Sequence, residues 1–207
     1  MILVDGEPSA HVPVSDSVVQ RGDGVFEALR TAGGTPFALE AHLDRLERSA
    51  AAMELETVDR ERLRAWVHRA AEPEGHALVR ILVTRGDNGS SGRTVVLSQP
   101  LPEVPDRFTV LPHRAPWHPA GRSWELAGVK TLSYAPNLAA SRVAHRAGYS
   151  DALLVSDDDT ILEGPTFCIG WVVDGRFETP SLDLGILASI TRAQAIELTR
   201  SLGVGVV

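Results

Sequence analysis

The apolar residues of this chain change period at Leu39, and that change restricts the fold to a mixture of strands and helices. From there Leu39, Leu43, Leu46, Ala50 and Met53 recur at helical spacing while Glu40, Asp44, Glu47 and Arg48 lie off the stripe, the pattern of an amphipathic helix. Residues 1–37 read instead as antiparallel strands. Ile2-Leu3-Val4 meets the turn Asp5-Gly6, and a second apolar run precedes Val14-Ser15-Asp16-Ser17; Asp-Gly between apolar runs is a strong hairpin signal. Gly22-Asp23-Gly24 leads into a strand through Arg30, and Gly33-Gly34 returns the chain through Thr35-Pro36-Phe37.

A second helix is expected over Asp59 to Ala71, turning Leu63, Trp66, Val67 and Ala70 inward and closed by Pro73 and Gly75. Strands follow at Ala77 to Arg85, Thr94 to Ser98 and Phe108 to Leu111, with a glycine- and serine-rich surface loop over Gly86 to Gly92. Pro112 to Ser123 holds three prolines, a glycine and few aliphatic residues, so it reads as a linker. That divides the chain into a domain over 1–111, a linker over 112–123 and a second domain over 124–207. The second domain reads as a helix from Pro136 to Ala147 and strands at Ala152 to Ser156, Thr160 to Glu163 and Ile169 to Val173. A tight turn at Asp174-Gly175, an exit at Thr179-Pro180 and a last helix from Arg192 to Leu202 complete it. The fold class is α+β, a mixed α/β chain in two domains.

Composition excludes several functions. The 207 residues are 43% hydrophobic, enough for an ordinary buried core. No run reaches the roughly 20 apolar residues of a membrane span, and the first residues lack the basic segment of a signal peptide. A formal net charge of −7 argues against a nucleic-acid or anionic-membrane partner. The single cysteine, Cys168, excludes an internal disulfide and fits a reducing cytoplasm. Among the seven histidines, His113 and His118 are the closest pair. Ala115-Pro116-Trp117 between them cannot form the turn that would set both imidazoles on one face, so no metal is expected.

Three features of the second half suit one site. Lys130 lies between an apolar approach (Leu126, Ala127, Val129) and Thr131-Leu132; partial desolvation disfavours its charged form, and such a lysine can form a Schiff base. Glu163 ends an apolar strand that Gly164-Pro165 breaks. Ser189-Ile190-Thr191 opens the last helix, and a helix N-terminus with hydroxyls beside it is a ready anion site. Lysine, carboxylate and phosphate cradle together suit pyridoxal phosphate (PLP).

The residues K-T-L-S-Y at 130–134, L-E-G at 162–164, T-P at 179–180 and G-I-L-x-x-I-T-R at 185–192 resemble the class IV aminotransferase family. So does an earlier block, G-D-G-V-F-E-x-L-R at 22–30 followed by P-F-x-L-E-x-H-L-x-R-L at 36–46. The resemblance implies a two-domain PLP enzyme of fold type IV. It assigns the covalent anchor and general base to Lys130, the pyridine nitrogen to Glu163, and the phosphate to Ile190 and Thr191. Arg45, beside the apolar stripe of its helix and able to reach toward the sheet, becomes a phosphate ligand through its bidentate fork. Tyr134 either polarises the cofactor oxygen or is ordinary core. Cys168 stands where relatives usually carry asparagine.

Within the family the reaction remains open between transamination of a small amino acid and the lyase that forms 4-aminobenzoate and pyruvate from 4-amino-4-deoxychorismate. The K-T-L-S-Y spacing is similar to the D-amino-acid and lyase branches, yet Ala28 stands where the lyase carries threonine. Thr84-Arg85-Gly86 is followed by none of the usual substrate-carboxylate residues, leaving Arg93 as the substrate-binding candidate. The resemblance also implies a homodimer. Because the chain ends at Gly203-Val204-Gly205-Val206-Val207 as a strand begins, the C-terminal part is expected to be incomplete, and a non-catalytic homologue is the alternative.

Overall fold

A computed structural model describes residues 1–71, 76–87 and 91–206. The closing signals at Pro73 and Gly75, and Asn88-Gly89-Ser90 of the glycine-rich loop, lie outside the described residues. The described chain separates into two compact units, one of Met1–Glu103 with Val129–Tyr134, the other of Val104–Gly128 with Ala135–Val207.

The first unit is built on an antiparallel sheet. Its strands are β1 (Ile2–Val4), β2 (Glu7–Pro8), β3 (Gly24–Ala32), β4 (Thr35–Pro36), β5 (Ala77–Thr84) and β6 (Thr94–Pro100), in the order β2-β1-β6-β5-β3-β4. The turn Asp5-Gly6 has positive φ at both residues, as a tight hairpin requires. Alternation along β3 and β5 decides what faces the helices. Val25 and Leu29 of β3 and Val79, Ile81 and Val83 of β5 point one way and are buried. They pack against α2 (Leu39–Ala52) and α3 (Arg60–Ala71) through Leu43, Leu46, Ala50, Leu63 and Val67. The opposite side of the same period-2 pattern carries Phe26, Ala28, Arg80 and Leu82.

One short helix is absent from the sequence-based expectation. Ser17–Arg21 forms α1, capped by the Asp16 carboxylate on the Val18 N–H at 3.0 Å and stopped by Gly22 at φ 71°. The second apolar run of the hairpin shrinks to two residues, Glu7–Pro8. Val14 is exposed and Asp16 is taken up as the cap.

The second unit pairs β7 (Val110–Arg114) in parallel with β8 (Asp151–Val155), with α4 (Ala135–Arg146) packed on β8. Its core gathers Ala115, Ala140, Ala144, Ala152, Leu154, Leu162 and Ile186. The expected linker over 112–123 is therefore corrected in its first half: Pro112, His113 and Arg114 are ladder residues, and Ala115 and His118 are buried. Prolines mark breaks in local propensity, but Pro112 sits on the two-stranded ladder opposite Leu153, a pairing 41 residues away in sequence that composition does not reveal. Thr160 to Glu163 is likewise not a full strand; it joins β8 through a single bridge, Val155 to Ile161, with Leu154 N–H on the Glu163 carbonyl at 2.8 Å. Strands β9 (Trp171–Val173) and β10 (Arg176–Glu178) form the hairpin turned by Asp174-Gly175, and β11 (Gly205–Val206) lies parallel to β10. After a 3-10 turn at Leu182–Leu184, Ser189 caps α5 (Ile190–Ser201). Among the described residues no helix is long and apolar enough to cross a membrane.

Candidate active site

Lys130 belongs to the first unit. The 129–132 segment runs antiparallel along the edge of β3 that β5 leaves open: Thr131 bridges Val25, Phe26 N–H donates to the Lys130 carbonyl at 3.0 Å, and Leu132 N–H donates to Gly24 O at 2.8 Å. The Lys130 N–H in turn donates to Ser49 Oγ of α2 at 3.2 Å. With its backbone held on both sides, the half-buried side chain sets Nζ 4.3 Å from the centre of the Phe26 ring, a cation–π distance. Lys130 is thus placed by its backbone rather than waving from the surface.

Phe26 organises what surrounds that ammonium. Tyr134 meets its edge at 5.6 Å and 86°, and the Arg80 guanidinium lies 5.7 Å from its centre. Arg80 Nε is buried without a hydrogen-bond partner on the protein. Sequence reasoning missed both Phe26 and Arg80. Arg80 sits in an alternating apolar strand, and only the pairing of β5 with β3 brings it to the Phe26 side.

Arg45 does reach the sheet, but its fork ends on a carboxylate. Its Nε donates to Glu27 Oε1 at 2.7 Å and its Nη2 to Glu27 Oε2 at 2.8 Å, while His42 Nδ1 lies 2.7 Å from Oε2. Glu27 occupies a core position of β3, between Val25 and Leu29 and opposite Ile81, and is fully buried. Burial pushes its carboxyl toward the protonated form; the hydrogen bonds and charges of Arg45 and His42 outweigh that and hold it below the ordinary carboxylate value. His42, Arg45 and Ser49 share one face of α2 at helical spacing, so the arginine is fixed one turn from the serine that carries the Lys130 backbone. Arg93 is tied elsewhere: its Nη1 lies 3.2 Å from the buried Asp16 carboxylate, which also accepts from Thr84 Oγ1 at 2.7 Å.

The second unit holds Glu163, Ile190 and Thr191. The Glu163 carboxylate accepts a forked bond from the Leu187 N–H, at 3.3 Å on Oε1 and 3.2 Å on Oε2, and lies 3.4 Å from His118 Nε2. The fold buries His118 and turns it onto Glu163. At the start of α5, Ser189 Oγ accepts from the Arg192 N–H at 3.1 Å and donates to Cys168 Sγ at 3.3 Å. The N–H groups of Ile190 and Thr191 make no hydrogen bond among the described residues, and Thr191 is exposed. Arg192 spends its guanidinium on Thr179 Oγ1 and Pro180 O. Within the second unit, two open amides and a hydroxyl at a helix start and a fixed carboxylate, and within the first an aromatic-backed lysine, are the kinds of group PLP needs. The residues present fit that cofactor. Among the described residues no three His, Cys, Asp or Glu gather as metal ligands.

Comparison with known proteins agrees with this chemistry. The family described as "Amino-transferase class IV" matches residues 24–207. A bifunctional aminodeoxychorismate lyase / D-amino acid transaminase of Mycobacterium tuberculosis is 33% identical over 98% of this chain and 76% of its own length. Among solved structures, a fold IV-transaminase from Curtobacterium pusillum superposes with TM-score 0.86 at 33% identity, over 96% of this chain and 72% of that one. The PLP-bound form of a hypothetical aminotransferase from Mycobacterium tuberculosis does so with TM-score 0.88 at 31% identity, over 100% of this chain and 80% of that one. With the lysine, the carboxylate and the helix start in the family's order, the chain belongs to the class IV aminotransferases, the PLP-dependent enzymes of fold type IV.

Proposed function

We propose that the protein transaminates a small amino acid, with Lys130 as the covalent anchor and general base. The observation that carries this reading is the placement of Lys130 Nζ over Phe26 by a backbone held from both sides. The cofactor, when bound, supplies an electron sink for the negative charge left on the substrate carbon. Lys130 would hold the cofactor through Nζ, and the same Nζ would take the proton from the substrate Cα and return it. Glu163, fixed by the Leu187 N–H, would hold the pyridine nitrogen in its protonated form. The Ile190 and Thr191 amides with the Thr191 hydroxyl take the phosphate. The family resemblance gives Arg45 a phosphate role as well, while Glu27 holds two of its nitrogens.

Arg80 displaces Arg93 as the group that meets the substrate carboxylate. Its buried Nε is unpartnered and it shares the Phe26 ring with Lys130, whereas the Arg93 side chain is occupied by Asp16. Tyr134 packs edge-on against the same ring. An apolar floor of Phe26 and Leu82 on that side of the sheet suits a small or branched side chain on the amino acid. Lyase activity on aminodeoxychorismate is the second reading, carried by the bifunctional relative. Ala28 offers no hydroxyl there. The enzyme works as a homodimer in the cytoplasm, a reading supported by the family and by one unpaired cysteine.

The test is an absorbance spectrum of the purified chain with added PLP, then borohydride reduction and peptide mapping. A visible-edge band that reduces onto Lys130, absent in Lys130→Ala, is expected, with amino-group transfer from D-alanine or a branched-chain amino acid. A folded protein that gives no band, or an active Lys130→Ala, refutes the assignment. Monomeric mass by light scattering in the turning-over enzyme refutes the dimer.

A further inference from the structure

The histidine behind Glu163 carries a role that the family motif does not name. His118 lies 45 residues before Glu163 and is 7% exposed. The Ala120 N–H donates to its Nδ1 at 3.1 Å, so Nδ1 must present a lone pair and the ring proton of the neutral imidazole sits on Nε2. Nε2 faces Glu163 Oε1 at 3.4 Å. A backbone amide thus selects the tautomer that donates to the carboxylate.

The geometry of Glu163 shows what this donor adds. The Leu187 N–H is shared between both oxygens, so alone it fixes where the carboxylate is but allows it to rock about its last bond. A second donor, arriving on Oε1 only, breaks that symmetry and leaves Oε2 as the oxygen with unspent acceptor capacity. The His118 backbone is held as well. Its carbonyl accepts from Arg122 Nη2 at 3.2 Å and its N–H donates to Ala115 O at 2.9 Å, while neighbouring Trp117 is tethered to Asn137 through Nε1 at 3.1 Å.

We propose that His118 is a positioning residue, orienting the Glu163 carboxylate through Nε2–H so that Oε2 is presented to the protonated ring nitrogen of the cofactor. This rests on the assignment of Glu163 made above. The test compares His118→Phe, which keeps a planar ring but loses the donor, with His118→Gln, which keeps an N–H near the Nε2 position, and with Glu163→Gln. Apoprotein is titrated with PLP and followed by absorbance, with thermal melting of each apoprotein as the folding control and kcat and KM measured for an amino donor. His118→Phe should weaken PLP binding about tenfold, the scale of one hydrogen bond to a charged group. It should lower kcat with KM unmoved and shift the cofactor band, and His118→Gln should recover to within about threefold of wild type. Wild-type affinity and spectrum in His118→Phe, with Glu163→Gln impaired, overturn the role of His118 and leave Glu163 standing. Equal losses in the Phe and Gln variants, tracking an equal fall in melting temperature, also overturn it. Wild-type binding and spectrum in Glu163→Gln remove the assignment of Glu163 and that of His118 with it.

Discussion

Removing the Glu27 carboxylate should be among the most damaging single changes in the first unit. Its side chain is fully buried and that of Arg45 is 8% exposed, so neither charge has water to fall back on. In Glu27→Ala the guanidinium loses bonds of 2.7 and 2.8 Å and His42 loses its 2.7 Å partner. Breaking a buried pair from one side costs about 3–5 kcal/mol, because the surviving charge stays desolvated. Set against a typical domain stability of about 5–15 kcal/mol, that consumes a large share of the margin. Glu27→Gln keeps the shape and one acceptor and should cost less, about 1.5–3 kcal/mol for the lost charge-assisted bonds. The double variant Glu27→Leu with Arg45→Met should be markedly less destabilised than the sum of its single changes, since two apolar groups of similar volume need no partner. Urea unfolding of wild type, Glu27→Ala, Glu27→Gln, Glu27→Leu, Arg45→Met and the double variant, read as midpoints at constant slope, measures this. A Glu27→Ala loss below about 1 kcal/mol, or strict additivity of the double variant, would refute the claim that the pair is coupled and dry.

The same carboxylate makes a signed prediction in pH. Its folded value is lowered, so its contribution is present above the ordinary carboxylate value and disappears as pH falls through the lowered one; Glu27→Gln should flatten the acid limb of the stability curve. Ser189→Ala removes the Oγ that caps α5 on the Arg192 N–H and should cost about 1 kcal/mol in melting experiments. Leu46→Ala, at a position buried completely between α2 and the sheet, should cost about 2–5 kcal/mol. Gly6→Ala should also destabilise, because φ is +88° and a Cβ would stand 2.5 Å from the Trp66 ring; both are read by denaturant midpoint.

The pieces of the candidate site were legible as local signals. Lys130 after an apolar approach, Glu163 before Gly164-Pro165, and Ser189-Ile190-Thr191 at a helix start each announce themselves within a few residues. Covalent geometry and capping chemistry act at that range. The alternation of β5 and the stripe of α2 are legible for the same reason: one period places every side chain of the element at once. Arg45 shows where this stops. Its lean toward the sheet follows from its place beside the stripe, but its partner Glu27 is 18 residues away on β3 and reads as an interruption in an apolar run.

What only the tertiary structure decided are the contacts between elements distant in sequence. Proline content marked 112–123 as a break, yet pairing with β8 turned its start into β7 and burial turned His118 onto Glu163. Arg80 and Phe26, unremarkable in their own strands, came to one side of the sheet because β3 pairs with β5 in a single register. Local propensity is a sum over neighbours in the chain, whereas these arrangements depend on which strand lies beside which, and the free energy that selects them comes from burial across the whole unit. The chain itself determined which groups are available for the chemistry; packing determined which of them face one another.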